Sequence, residues 1–478
     1  MRYLLKIALL TLALALVIGG SFQVVRAEIP PEPGEQRANT GQVVSCTQTQ
    51  QGPVLLYDRQ AYPLDSGMHA GVGDETAVAY EHTVRIAGAQ WLRLHFGDYY
   101  LGQRSFITIT SLQDGSRQRL DATSIREWGD SSGFFNGDAV VVRLHVAPGD
   151  AGVFFRLEEV SAGGPAAAGP LSPQATTELC GTDDRHQTDD PAVGRFIFDD
   201  GVSRISRCTG YIASNAAVLT AGHCAEFGAY HAPVAVEFNV PDSDGAGNTS
   251  FALLDDQYPL VRVDFRDNGV GDDWGVLSAH RNSNTRLLPV HAQGKFYRLA
   301  LAGDVSPPDV RVTGHGVDTT PNEWNRTLQT DIGDYLGETG DASRASIEYI
   351  VDTMSGNSGS PVISPTTGIS VSIGIHTAGG CNPPGDGNNG TSFLRSALAD
   401  VIEDFPGENT VYVDRRHPIA AENGTPFRPY DLVSEGRDNV PVNGIVSIVA
   451  GTYTRTLTID KAMTLIAPVG HVIIGKEE

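Results

Sequence analysis

The segment from Cys208 to Cys224 (Cys-Thr-Gly-Tyr-Ile-Ala-Ser-Asn-Ala-Ala-Val-Leu-Thr-Ala-Gly-His-Cys) constrains this chain more than any other. Its pattern is that of a β-hairpin ending in Thr-Ala-Gly-His223-Cys224. Two cysteines bracket the hairpin, and a bond between Cys208 and Cys224 ties the loop bearing His223 to the strand behind it. A histidine fixed in this way can serve as a general base once a nucleophile and an orienting acid approach it.

Two later segments supply those groups. In Gly271-Asp272-Asp273-Trp274-Gly275-Val276-Leu277 an acid leads into an apolar strand. A buried carboxylate there can hold an imidazole in one tautomer and stabilise its charged form. Asp273 directly precedes the strand, and adjacent Asp272 is its rival; Gly-Asp-Asp is also ordinary turn chemistry. In Gly356-Asn357-Ser358-Gly359-Ser360-Pro361-Val362 the glycines permit a tight turn that exposes the Ser358 hydroxyl. The amides of Gly356 and Ser358 can then converge on one oxygen as an oxyanion hole. Gly-x-Ser-Gly alone is common in loops. The order His223, Asp273, Ser358 gives it meaning.

Around these segments the 478 residues divide. Residues 1–27 read as a signal peptide: a positive start at Arg2 and Lys6, an apolar run from Ile7 to Ile18, and Val25-Arg26-Ala27 before the cut. Residues 28–45 are a leader. Residues 46–160 carry short alternating stretches such as Phe106-Ile107-Thr108-Ile109, read as a β-sandwich-like domain, either propeptide or accessory. Residues 161–179 are small and Pro/Gly-rich, a linker open to proteolysis. Residues 180–405 hold the chemistry. Residues 406–478, with short apolar segments at close intervals, resemble the opening coils of a parallel β-helix, too few to bury a core unless they dock elsewhere. A net charge of −23 argues against nucleic acid and anionic membrane surfaces as partners. No later segment is long and apolar enough to span a bilayer.

Residues 180–405 resemble chymotrypsin-like serine proteases, and more nearly the bacterial glutamyl endopeptidases of the V8 type. Besides the three motifs, Asp183-Asp184-Arg185-His186-Gln187, Val312-Thr313-Gly314 and the run from Asp352-Thr353 to Val362 carry the likeness. The resemblance implies an all-β fold with two six-stranded antiparallel barrels and an active site in the cleft between them. It implies His223, Asp273 and Ser358 as catalytic triad. It also implies a pocket for a glutamate side chain at His376 and Thr353, flanked by Thr377 and Gly379. The competing reading rests on Asp352, six residues before Ser358, where trypsin-like enzymes hold the acid that binds Arg or Lys. Cys381 has no cysteine near Ser358 to pair with. Cys180–Cys381 and Cys46–Cys180 are both open, and five cysteines leave one over.

The expectation is a secreted, monomeric serine endopeptidase acting on proteins or peptides, with no cofactor and no metal site. Two rivals are a catalytically inactive protease-like binding protein and a surface-adhesion protein working through its tail.

Overall fold

The computed structural model describes residues 55–164, 179–199, 201, 204–225, 232–365, 368–381 and 387–475. The expected signal peptide and leader, Cys46 and most of the linker lie outside the described residues. Among the described residues no helix is long and apolar enough to cross a membrane. The chain is mostly β, with few helices.

The front strands are β1 (Leu55–Asp65), β2 (Ala77–Arg85), β3 (Trp91–Tyr100), β4 (Phe106–Ser111), β5 (Arg117–Leu120), β6 (Phe135–Asn136), β7 (Ala139–Val146) and β8 (Phe154–Gly163). They form two antiparallel layers, β2-β7-β4-β5 and β1-β8-β3-β6. Period-2 alternation explains why: in β7, Val140, Val142, Leu144 and Val146 turn inward while Val141, Arg143 and His145 face out. The inward faces of both layers share one core. One short helix, α1 (Ala122–Glu127), starts at Asp121, whose side chain accepts from the amides of Thr123 and Ser124. β8 runs to Gly163, so the first residues of the expected linker are strand. A Cβ at Gly163 would collide with the Trp91 indole, so only glycine fits there.

β9 (His186–Gln187) precedes β10 (Val193–Asp199), β11 (Arg204–Ile212), β12 (Val218–Thr220), β13 (Ala232–Glu237), β14 (Gln257–Asp267) and β15 (Asp273–Ala279). The strands β10 to β15 close into a barrel in the order β10-β13-β14-β15-β12-β11, with β11 pairing back on β10. Two short helices, α2 (Pro289–Gln293) and α3 (Ala302–Val305), flank β16 (Arg298–Leu299) on the way to the second barrel. Its strands are β17 (Asp309–Gly314), β18 (Gln329–Asp341), β19 (Arg344–Tyr349), β20 (Pro361–Ser364), β21 (Val371–Ala378) and β22 (Asn388–Ser392). They close in the order β21-β20-β17-β18-β19-β22, again by a first-to-last pairing. β9 pairs with β18, which lays the segment after residue 179 along the second barrel.

Helix α4 (Ser396–Glu403) leads into the tail: β23 (Thr410–Val413), α5 (Val433–Asn439), β24 (Ile445–Ile448), β25 (Gly451–Tyr453), β26 (Thr464–Ile466) and β27 (Val472–Ile474). All its strand pairs are parallel, as stacked coils require. These coils are stabilised by docking. Val449 and Val469 enter the core of the first barrel, Phe427 packs at a tilt against Phe393, and Arg298 donates to Asp414 at 2.5 Å.

The first barrel holds a fully buried ion pair on its adjacent strands β10 and β13. Arg195 Nε donates to Glu237 Oε1 at 2.6 Å, and its other nitrogens donate to the carbonyls of Ser250 and Arg326. Both side chains are wholly shielded from water. Arg195→Met should therefore lower unfolding stability by about 3–5 kcal/mol, because Glu237 is left charged and unpaired. Arg195→Met/Glu237→Leu should cost less than the single change. Urea denaturation of both variants checks this, and equal losses would show that the stranded charge is not the cause.

Candidate active site

His223 stands in the turn that follows β12, and Asp273 opens β15, the strand paired with β12. Gly222 is needed before His223: a Cβ there would overlap the Arg266 carbonyl on β14. One carboxylate takes both donors of His223. The backbone N–H donates to Asp273 Oδ1 at 2.8 Å and the ring Nδ1 lies 2.7 Å from Oδ2. Asp273 is 1% exposed, whereas a quarter of the His223 side chain reaches solvent. A carboxylate can only accept, so Nδ1 carries the ring proton and Nε2 is the basic atom of the neutral imidazole. Asp272 is engaged elsewhere, by Arg395 Nε at 2.7 Å, Asn268 Nδ2 at 2.9 Å and Trp274 Nε1 at 3.1 Å. The backbone of Asp273 is fixed from the second barrel: its N–H and C=O both bond the Thr391 hydroxyl on β22.

Ser358 lies between β19 and β20, in a turn that runs through Gly356 (φ +107°) and Gly359 (φ +90°). The Asn357 amide between the two proposed oxyanion donors is taken by the Met354 carbonyl. Thr209 N–H donates to the Ser358 carbonyl at 2.8 Å, and the Thr209 hydroxyl donates to the Gly356 carbonyl at 2.8 Å. Thr209 follows Cys208, whose disulfide to Cys224 sits beside His223. The hairpin that carries His223 is thus the same one that grips the Ser358 turn. The sulfurs of Cys208 and Cys224 lie near a His223 nitrogen but are spent on each other, so this is no metal-ligand set.

The residues expected to meet a substrate side chain come together next to this turn. His376, on β21, brackets the Ser358 loop: Gly359 N–H donates to its carbonyl and its own N–H donates to the Ser360 carbonyl. The ring is 2% exposed, with Nδ1 2.7 Å from the Tyr349 hydroxyl. Burial first, and the neighbouring His223 second, push His376 down to about 3, so it is neutral. Thr353 is fully buried and its hydroxyl accepts from Asn388 Nδ2 at 2.9 Å. Thr377 Oγ1 donates to the Asn389 carbonyl at 3.3 Å, and Gly379 is exposed just past the end of β21. Sequence reasoning did not single out Tyr349, Asn388, Thr391 or Thr209. Each acts across strands far apart in the chain, and no local pattern marks them.

Residues 181–402 match the family model described as Trypsin. They form a trypsin-family domain. No curated protein sequence matches the chain. Among solved structures, a Glu endopeptidase in complex with MPD aligns at 19% identity and TM-score 0.35, covering 47% of this chain and 97% of its own. A protease from M. tuberculosis in its active form aligns at 13% identity and TM-score 0.30, covering 44% and 79%.

At the start of the trypsin-family domain the chain is pinned by Asp352. Its Oδ1 accepts from Cys180 N–H at 2.6 Å and its Oδ2 from Asp184 N–H at 3.1 Å, while Cys180 bonds Cys381. Both carboxylate oxygens are therefore occupied by backbone, and the Cys46–Cys180 pairing is excluded. The Asp352 amide donates to Asp331 Oδ2 at 2.7 Å. Burial, and the charges of Asp184 and Asp352, push Asp331 from the ordinary 3.8 up to about 6 against the pull of two amides. An acid raised in the folded state binds its proton more tightly folded than unfolded. Its contribution to stability is thus full below about pH 4 and is lost as pH rises through about 6. Asp331→Asn, which keeps an acceptor for the Asp352 amide, should flatten that decline and raise the melting temperature above pH 6. Melting curves from pH 4 to 8 test this, and an unchanged slope would remove Asp331 as its source.

Proposed function

We propose that the chain is a secreted serine endopeptidase whose trypsin-family domain cuts protein substrates through His223, Asp273 and Ser358, after glutamate and to a lesser degree aspartate. The observation that carries the reading is the double bond of His223 to one buried carboxylate, which fixes the ring and leaves Nε2 basic. In the reaction Ser358 Oγ attacks the scissile carbonyl carbon as Nε2 takes its proton. The carbonyl oxygen becomes an oxyanion held by the amides of Gly356 and Ser358. Nε2 then protonates the leaving amine, and the acyl group stays on Ser358. Water, deprotonated by the same nitrogen, releases the acid. Asp273 stays ionised throughout and compensates the imidazolium.

The glutamate preference rests on His376 and on the engagement of Asp352. In the tautomer in which the Tyr349 hydroxyl donates to Nδ1, the ring proton of neutral His376 sits on Nε2, where it can donate to a substrate carboxylate. Asp352 is buried and its two oxygens anchor the Cys180 and Asp184 amides at the start of the domain, which disfavours the basic-specific alternative. Secretion rests on residues 1–27 and fits a domain closed by two disulfides.

A cleavage-site profile on a denatured proteome tests both levels. The wild-type protein should cut after Glu, Ser358→Ala should reduce turnover by about 10,000-fold or more, and His376→Gln should lose the Glu preference while still cleaving. Cuts after Arg or Lys would retain the triad and overturn the pocket. A fully folded wild type without cleavage would overturn the enzyme reading and favour a protease-like binding protein.

A further inference from the structure

The front layers do not merely precede the trypsin-family domain; they extend the sheet of its closed first barrel. β1 continues the barrel sheet by pairing with β11, Leu55 opposite Ile205 and Leu56 opposite Arg204. Beyond that junction Asp199, at the end of β10, is buried between two front-layer donors, the Tyr57 hydroxyl at 2.5 Å and Arg93 Nη1 at 2.8 Å. The Arg93 side chain is itself buried, and its guanidinium lies 5.0 Å over the Phe134 ring.

The apolar contact is continuous across the junction. Trp91 and Phe134 of the front layers close on Phe251 of the barrel, with Phe134 and Phe251 stacked at 4.7 Å between ring centres. Ile197, Ala235 and Leu254 of the barrel belong to the same buried core as the front strands. Two amide side chains then stitch the backbones together. Gln257 accepts from the Phe134 amide and donates to its carbonyl, and Asn136 does the same for Phe251. All four residues are buried, so separation exposes a hydrophobic face and breaks four buried hydrogen bonds.

We propose that residues 55–164 are a permanent non-covalent partner of the trypsin-family domain: once the chain is cut in the Pro/Ala/Gly stretch 165–178, both pieces remain one particle, and the front segment is not a propeptide that leaves. Among the described residues its named bonds to the barrel fall within 199–205, 251–257 and 280–286, not on the turn of Ser358. An attached front segment is thus compatible with an open cleft. A cut in 165–178 breaks no disulfide bridge between the pieces, since Cys180–Cys381 and Cys208–Cys224 both lie downstream.

The test uses the full chain carrying Ser358→Ala against self-digestion, Cys46→Ser against adventitious cross-links, and a site-specific cleavage sequence inserted between Ala168 and Gly169. After folding and complete cutting, size exclusion at micromolar concentration should give a single peak containing both fragments. The same protein with Phe134→Ala and Arg93→Met should separate, with the dissociation constant raised by about 100-fold or more. Separate peaks from the unsubstituted cut protein would overturn the proposal, and so would retention of both fragments in the substituted one. Should the substituted chain fail to fold uncut, urea unfolding of the unsubstituted cut protein decides. One transition whose midpoint rises with protein concentration supports the complex, whereas two concentration-independent transitions overturn it. The readout is association, so it stands or falls separately from the proposed catalysis.

Discussion

The structure turns on the contact between Thr209 and the Ser358 turn. Two barrels meeting face to face carry no automatic register, yet the proposed chemistry needs a histidine from one to meet a hydroxyl from the other to within a fraction of an ångström. Thr209 sets that register. Its amide holds the Ser358 carbonyl, its hydroxyl donates to the Gly356 carbonyl and accepts from the His315 amide, and its own carbonyl accepts from Thr220. Gly359 is the counterpart: a Cβ would lie 2.0 Å from the Thr209 carbonyl and 2.2 Å from the Thr220 hydroxyl, at a φ of +90°. The glycine in this turn thus serves contact between barrels as well as backbone conformation. Thr391 works the same seam from the other side, gripping the backbone of Asp273 from the second barrel.

Three buried ion pairs each cross elements. Arg195 with Glu237 ties β10 to β13 and reaches the Arg326 carbonyl in the second barrel. Asp272 with Arg395 ties the acid loop to the turn before α4. Asp199 with Arg93 ties the first barrel to the front layers. Buried pairs add little net stability over well-packed apolar groups, but they tolerate no other arrangement, because a displaced partner strands a charge. Their worth here lies in registration, where apolar barrels alone would slide.

The groups proposed to react stand out in the sequence because their chemistry is local. A histidine held between a cysteine and Ala-Gly, an acid at the start of a strand, and a serine among glycines each need particular neighbours in the chain. The closed barrels followed from the resemblance those motifs carry, and the tail's parallel coils from short apolar repeats that had to dock. Where the text of the chain ran out, the partners were distant. Nothing near Asp352 shows that its oxygens bind the amides of Cys180 and Asp184, some 170 residues upstream. Nothing near Trp91 or Phe134 shows that they share a core with Phe251. The front strands read as a separate sandwich because alternation reports which face is buried but not what buries it.

The same electrostatics link the proposed specificity to the proposed catalysis. His376 is close enough to His223 that each disfavours charge on the other. In the free protein the buried ring of His376 stays neutral, which spares the imidazolium that forms at His223 from a second positive charge beside it. A glutamate carboxylate seated on His376 reverses the balance by placing a negative charge in the shielded space that His223 also feels. Its effect grows as His223 takes the Ser358 proton, so part of the carboxylate's interaction is realised only in the transition state. An uncharged side chain of the same shape, such as glutamine, would fill the pocket without that gain. Discrimination would then fall on turnover as well as on binding, from the placement of two imidazoles of which one is buried and the other is not.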